Sequence, residues 1–299
     1  MQNIEQRIAS VRDDREHGSR WLVRQALLIL RDLALMEGYG SDAHMRQLYH
    51  SGRTLARSRP AMAALSSAVS RVLFERSGPA DIAAAAEQLL QEYDTATTRI
   101  ARHARPYLRD RLLTCSISGT VLEVLVSARE AIQEVIVLEG RPRYEGRDMA
   151  HALSQYGIAV TLITDAQAAI FLPLCQSIVV GADSVLANGD ILNKAGTALL
   201  AWAGHGLHIP LYVLCESLKI AAQSWPEEWG EALLEEKEPG EVLEHPLPGV
   251  KVRNFYFDHT PARLVNGLIT EQGILRTQDI QTIAATVKVQ EHFLNGRYP

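Results

Sequence analysis

RLLTCSISGTVLEVLVSAREAIQEVIVLEG, residues 111–140, decides the fold. Two short apolar, β-branched runs, Leu112 to Ile117 and Glu134 to Leu138, flank a segment from Thr120 to Glu130 whose apolar residues recur at helical spacing. Working outward, the strand pattern returns at Ile158 to Ile163, Ser177 to Val180 and Pro210 to Leu214, each run bounded by Gly, Pro or Asp. Helical patterns return at Arg147 to Tyr156 and Lys194 to Ala203. This alternation predicts βαβ units in a mostly parallel sheet with helices on both faces. Ligands of such sheets sit beyond the carboxyl ends of the strands, which is where chemistry is to be sought.

Upstream of Arg109 no strand pattern is evident. Trp21, Leu22, Ala26, Leu28, Ile29, Leu33 and Leu35 recur every three to four residues, Met62 to Phe74 follows Pro60, and Asp81 to Tyr93 follows a Gly-Pro break. The expected architecture is therefore α/β, an all-α domain over residues 1–110 and a sheet domain over 111–299. The charge divides the same way: 16 Arg against 13 acidic residues before position 111, and 14 basic against 22 acidic after it.

With a net charge of −5, direct nucleic-acid binding is not expected, because neutralising phosphates needs a basic surplus. Long apolar stretches are missing and Met1 to Arg20 alternates charge and polarity, so neither a membrane span nor a signal peptide is expected. Three cysteines without a CxxC pair suggest no disulfide framework and no metal site, and fit a reducing cytoplasm. The glycines match neither GxGxxG nor the P-loop, so no nucleotide cofactor is implied. Pro226 to Glu244, with eight Glu, reads as a solvated loop with a short helix.

The densest cluster is VVGADSVLANGDILNKAGT, Val179 to Thr197. Here a strand ends in an Asp-bearing loop and Asn193-Lys194 is expected to open a helix, a setting that favours a phosphate. Spacing alone also allows Asn188-Gly189-Asp190 to be a plain turn and Asn193 a helix cap. Asp190, if buried beside Ile191 and Leu192, would keep its proton near neutral pH. Cys115 and Ser116 end a strand before Ser118-Gly119-Thr120, so a thiol there reads either as one whose pKa a helix amino end lowers or as a small buried core cysteine. Alternation sends those two side chains to opposite faces, so only one should meet a ligand. Arg59-Pro60 and Arg141-Pro142 offer guanidinium forks for phosphate, and Gly18-Ser19 after His17 offers a backbone anion loop.

Taken together these residues resemble the superfamily that joins the α, β and δ regulatory subunits of translation initiation factor 2B to the isomerases of methylthioribose-1-phosphate and ribose-1,5-bisphosphate. Five motifs in order carry the likeness: ExRPxxxG (Glu139 to Gly146), GIxVTxIxD (Gly157 to Asp165), VVGADxxxANGDxxNKxGT (Val179 to Thr197), PLYVLCESLK (Pro210 to Lys219) and FDxTPxxLVxxxIT (Phe257 to Thr270). The resemblance implies a helical domain followed by a Rossmann-like domain, and a homodimer or larger assembly. It implies Asp190 as catalytic acid, Cys115 or Ser116 as its partner, and Arg59, Asn193 and Lys194 as substrate contacts. Glu145 stands where the isomerases usually place a Gln that touches phosphate, and there a carboxylate would repel the anion unless turned outward or protonated.

The function this implies is aldose-1-phosphate to ketose-phosphate isomerisation on a phosphorylated sugar, with no metal or organic cofactor. Asp190 would protonate the ring oxygen while Cys115, or Ser116 through water, manages the hydrogen moving between C2 and C1. The competing expectation is a regulatory subunit that binds a phosphorylated sugar or nucleotide without converting it.

Overall fold

The structure is a computed structural model that describes residues 4–14, 17–36, 41–59, 62–226 and 231–296. Five helices come first: α1 (Ile4–Asp13), α2 (Ser19–Ala34), α3 (Ser41–Arg57), α4 (Ala63–Leu73) and α5 (Pro79–Ala104). In α2 the residues Leu22, Val23, Ala26, Leu27, Leu30 and Leu33 are all buried, the stripe that three-to-four spacing dictates. They form one core with Tyr49, Leu65, Leu73, Ile82 and Leu89. Helix α5 runs well past the expected Tyr93. It spans 26 residues, about 39 Å, so Ile100 and Ala104 leave the helical core and pack on the sheet instead.

The sheet follows as β1 (Asp110–Cys115), α6 (Gly119–Ser127), β2 (Ile132–Leu138), α7 (Glu145–Gln155), β3 (Val160–Ile163), the short α8 (Ala168–Phe171) and β4 (Ser177–Val180). After β5 (Ser184–Val185) and β6 (Ile191–Lys194) come α9 (Thr197–Leu207), β7 (Leu211–Leu214), α10 (Glu231–Leu234), β8 (Phe257–Thr260), β9 (Gly267–Thr270), β10 (Gly273–Leu275) and α11 (Thr277–Gly296). Seven strands form the main sheet in the order β10-β9-β7-β4-β1-β2-β3, parallel except for the antiparallel edge strand β10. Leu113, Ile136 and Ile178 face one core and Leu112, Val135, Val137 and Val179 the other. Central parallel strands buried on both faces read as continuous apolar runs, which is why these were recognisable.

Two features depart from the expected order. Strands β5, β6 and β8 make a second, antiparallel sheet. Asn193 and Lys194 accordingly lie on β6, paired with Asp258 and Phe257, and the helix expected from Lys194 starts at Thr197. Asp258 makes that start: its carboxylate accepts from the Gly196 and Ala198 N–H groups at 2.7 and 2.9 Å. Helix α11 returns to the helical layer, where Leu294 and Phe293 join the core of α2 to α5. Among the described residues no helix is long and apolar enough to cross a membrane. Of the acidic stretch, residues 227–230 and Pro60 of the Arg59-Pro60 pair lie outside the described residues.

Candidate active site

Strands β1 and β4 are neighbours whose chain connections leave in opposite directions, β1 towards β2 and β4 towards β7. A crevice opens beyond the carboxyl ends at such a switch point. Here it is a cavity of about 440 Å3 walled by Cys115 to Thr120 after β1, by Gly181 to Asp183 after β4, and by Asn193 and Lys194 of β6. Gly181 allows the close approach of the two loops, since a Cβ on it would stand 2.9 Å from the Ser118 hydroxyl.

Three helices aim their amino ends at this space. Gly18 and Ser19 at the start of α2, Ser118 to Thr120 at the start of α6, and Glu145 with Asp148 in the first turn of α7 all line it. The Ser118 side chain caps α6 by accepting from the Val121 N–H at 3.3 Å. Converging helix amino termini favour an anion, and the cations Arg20, Arg143, Lys194 and Lys219 reinforce that preference. The Gly18-Ser19 loop thus takes the position expected of it.

Lys194 is buried, with its ammonium 4.2 Å from the Tyr256 ring centroid. Glu145 neither turns outward nor stands alone: its Oε1 accepts from Lys194 Nζ at 2.5 Å. Asn193 donates its amide to the Thr197 hydroxyl at 2.9 Å across the β6–α9 turn. Tyr256 donates to Glu241 at 2.6 Å, so the acidic stretch supplies the outer wall of the site through Glu241.

The strand-end residues missed by the sequence reading are Asp183 and Lys219. Asp183 lies three residues beyond β4, lines the cavity, and makes no side-chain hydrogen bond among the described residues. Burial pushes its carboxyl above the ordinary range, with Lys219 and Lys194 pulling the other way. Lys219 donates to the Ala182 carbonyl at 2.7 Å and faces Glu216 at 3.7 Å. Burial favours the neutral form of both, but their mutual attraction and the Thr120 hydroxyl at 2.7 Å from Glu216 outweigh it, so this pair stays ionised. The available signal was positional: Asp183 closes a β-run that ends at the switch point.

Cys115 and Ser116 both line the cavity, against the expectation that only one would. Strand β1 ends at Cys115, and Ser116 sits in the left-handed region at φ 59°, which breaks the alternation. Of the two readings of Cys115, the geometry favours the buried thiol over the activated one. Burial raises the Cys115 pKa to about 12, opposed by the Thr197 hydroxyl 3.6 Å away. At neutral pH fewer than about one thiol in ten thousand is then ionised. Iodoacetamide at neutral pH should therefore leave Cys115 unmodified while it alkylates the unfolded chain completely, a contrast read by peptide mass spectrometry.

Asp190 is corrected in two respects. It does not line the cavity, and its carboxylate is held by the Ala262 N–H at 2.8 Å, His259 Nε2 at 2.7 Å and the Asn188 amide at 2.9 Å. Burial would raise its pKa, but those hydrogen bonds outweigh it and hold the group below the ordinary carboxylate range. It is an ionised turn-former, not a proton store. Arg141 is exposed and spends its guanidinium on the Tyr144 hydroxyl and the Val242 carbonyl at 2.7 and 2.9 Å. Arg143, two residues on, enters the cavity in its place. Asp165 accepts from the Gly140 and Arg141 N–H groups at 3.0 and 2.9 Å and so holds the loop that delivers Arg143 and Glu145. Arg59 faces an adjoining cavity of about 410 Å3 that shares His17, Met62, Arg143 and Tyr256 with the first. Among the described residues no group of three His, Cys, Asp or Glu is placed to hold a metal ion.

The model of the Initiation factor 2 subunit family matches residues 15–277. The chain belongs to that family. Relatives within it bear different names. The chain is 28% identical over 288 residues to a protein of Methanocaldococcus jannaschii named ribose 1,5-bisphosphate isomerase, covering 93% of each. It is 34% identical over 276 residues to a Pelotomaculum thermopropionicum protein named methylthioribose-1-phosphate isomerase, covering 82% of this chain and 74% of that one. A solved structure of translation initiation factor eIF-2B from Pyrococcus horikoshii superposes with a TM-score of 0.80 at 28% identity, over 94% of this chain and all of that one. The fold of an Initiation factor 2 subunit family member is thus the helical layer and mostly parallel sheet described above.

Proposed function

We propose that this family member isomerises an aldose 1-phosphate to the corresponding ketose phosphate, with Asp183 taking the role that sequence reading gave to Asp190. The observation that carries this is a carboxyl group with no side-chain hydrogen bond among the described residues, lining an anion-attracting cavity together with Cys115, where burial raises its proton affinity. A protein that only senses a phosphate needs the cations and helix termini; a buried carboxyl inclined to keep its proton works against anion binding in no useful way, yet serves proton transfer directly.

The phosphate at C1 blocks spontaneous ring opening, so catalysis begins with a proton. Asp183 gives its proton to the ring oxygen as the bond from C1 to that oxygen breaks. Cys115, as thiolate, removes the proton from C2, leaving an enol between C1 and C2, and returns it to C1. The 2-hydroxyl proton goes back to Asp183 as C2 becomes the carbonyl, and both groups end as they began. Arg143, Lys194 and the amino ends of α2 and α6 hold the phosphate. Neither a metal nor an organic cofactor enters the balance. Ser116, at its strained φ beside Cys115, positions the loop against the substrate.

The test is to incubate the protein with ribose 1,5-bisphosphate, methylthioribose 1-phosphate and simple pentose 1-phosphates and follow the ketose carbon by NMR. Turnover of any one supports the reading. Calorimetric binding without turnover favours the sensor of the regulatory-subunit kind, to which the occupation of Lys194 by Glu145 also lends weight.

A homodimer belongs to the same proposal. Ile170 of α8, Leu174 just after it, and Leu199, Trp202 and Leu207 of the contacting helix α9 are between 42% and 68% exposed, apolar surface that water disfavours. Sedimentation velocity should return twice the chain mass for the wild type and the chain mass for Trp202→Glu. A monomeric wild type removes this part of the proposal.

A further inference from the structure

We infer that Glu145 is an internal counter-ion: it engages Lys194, and a dianionic phosphoryl group that displaces it obliges Glu145 to take up a proton. This rests on the isomerase reading only for the class of ligand, a phosphorylated sugar. The geometry supplies the rest. Glu145 Oε1 lies 2.5 Å from Lys194 Nζ, and Glu145 Oε2 is buried with no hydrogen-bond partner among the described residues. Lys194 is confined between that carboxylate and the Tyr256 ring and is only 9% exposed in its side chain, so carboxylate and phosphate draw on one ammonium held in one place. Glu145 also opens α7, and so enjoys the same helix-end field that would attract the phosphate. Protein carboxylate and ligand phosphate compete for one place.

Once the phosphate holds Lys194, an ionised Glu145 would be left beside a dianion with a bare buried oxygen. Of the other charges around the pair, Arg143 attracts Glu145 but makes no hydrogen bond to it among the described residues, so the bare oxygen stays bare. Arg143 and Asp148 flank it in sequence, Asp183 and Lys219 line the same cavity beyond β4 and β7, as do Arg20 of α2 and His17 just before it, and Tyr256 just before β8 is engaged by Glu241. Lys194 is the cation hydrogen-bonded to Glu145 among the described residues. A proton from solvent removes both the repulsion and the bare acceptor, since a protonated carboxyl becomes a donor to the phosphate. Glu145 therefore decides which charge the site admits: a dianion arrives with a proton, whereas a singly charged or zwitterionic ligand needs none.

Sulfate is the probe, because it stays dianionic throughout and offers no reacting carbon. Its dissociation constant for the full chain is obtained from the concentration dependence of thermal stabilisation between about pH 5 and pH 8. For the wild type it should rise with pH by up to about tenfold per unit, the signature of one linked proton. Glu145→Gln should bind sulfate at least about tenfold more tightly at pH 8 and lose the slope, and Glu145→Ala should do the same. His17→Gln should keep the wild-type slope, because the His17 ring is engaged by Asp14 and makes no hydrogen bond to Glu145 among the described residues. The same slope in Glu145→Gln and Glu145→Ala as in the wild type, or a flat wild-type profile, overturns the inference. Because sulfate cannot turn over, the outcomes separate. Linked protonation in a chain that isomerises nothing leaves the counter-ion standing and removes the enzyme, and unlinked binding in an active chain does the reverse.

Discussion

Asp183→Asn should lose between about one hundredfold and ten thousandfold in kcat for the pentose 1-phosphate that the wild type isomerises, with KM unchanged or lower. Asn keeps the shape and the hydrogen-bonding reach of the side chain but carries no transferable proton. It also removes a carboxyl from beside Lys219 and Lys194, so the anion is bound no less firmly. The fall in kcat without a rise in KM distinguishes a group acting in the reaction from one that merely binds. Asp190→Asn is the matched comparison. Its carboxylate forms a turn outside the cavity, so that variant should lose stability before it loses rate.

The pH dependence follows from the two directions. The reaction needs Asp183 protonated and Cys115 ionised, and burial raises the proton affinity of both, the thiol to about 12. Between the two titrations the ionised fraction of Cys115 rises tenfold per pH unit while the protonated fraction of Asp183 falls tenfold, and their product is constant. Below the Asp183 titration the carboxyl is already fully protonated, but the thiolate continues to diminish, so kcat/KM falls with unit slope towards acid. The expected wild-type profile is a plateau between the two titrations with an acid limb below that of Asp183. A bell centred near neutrality, or an Asp183→Asn rate within threefold of the wild type, removes Asp183 from the mechanism.

The sheet was legible because its central strands are buried on both faces, and burial on both faces leaves apolar runs that need no partner to be recognised. The general place of the site was legible too, since Gly18, Ser19, Cys115, Ser116, Glu145, Asn193 and Lys194 do line one cavity. What spacing could not tell was which of two nearby carboxylates faces the ligand. Asp183 and Asp190 lie at opposite ends of the β5–β6 hairpin, and the direction of that hairpin is set by pairing with β8, more than sixty residues further on. Arg141 and Arg143 were confused for a similar reason: Tyr144 at φ 60° turns the loop, and Asp165 from another strand end fixes where it turns. The protonation of Cys115 depends on how closely α9 covers it, a distance between elements that no local pattern encodes.

Gly146→Ala should destabilise the chain by about 3 kcal/mol or more, a loss that reaches well beyond an ordinary helix substitution. Helix propensity alone points the other way, since Ala is favoured over Gly within a helix by roughly 0.5–1 kcal/mol. Packing decides. A Cβ at position 146 would stand 1.7 Å from the Leu138 carbonyl oxygen and 2.8 Å from its carbon, and these are backbone atoms of β2 that no rotamer change can move. The first turn of α7 would have to lift from the end of the strand. Glu145 is the adjacent residue, so lifting the turn draws its carboxylate from Lys194 and opens the anion site as well. The measurement is urea denaturation followed by circular dichroism, with sulfate stabilisation recorded alongside. Gly206→Ala in α9 is the control: nothing lies within 4 Å of its added methyl, so there the propensity gain should appear as a slight stabilisation. If Gly146→Ala matches that control, β2 and α7 do not approach as closely as described, and the delivery of Glu145 to Lys194 by the ExRPxxxG loop loses its structural basis.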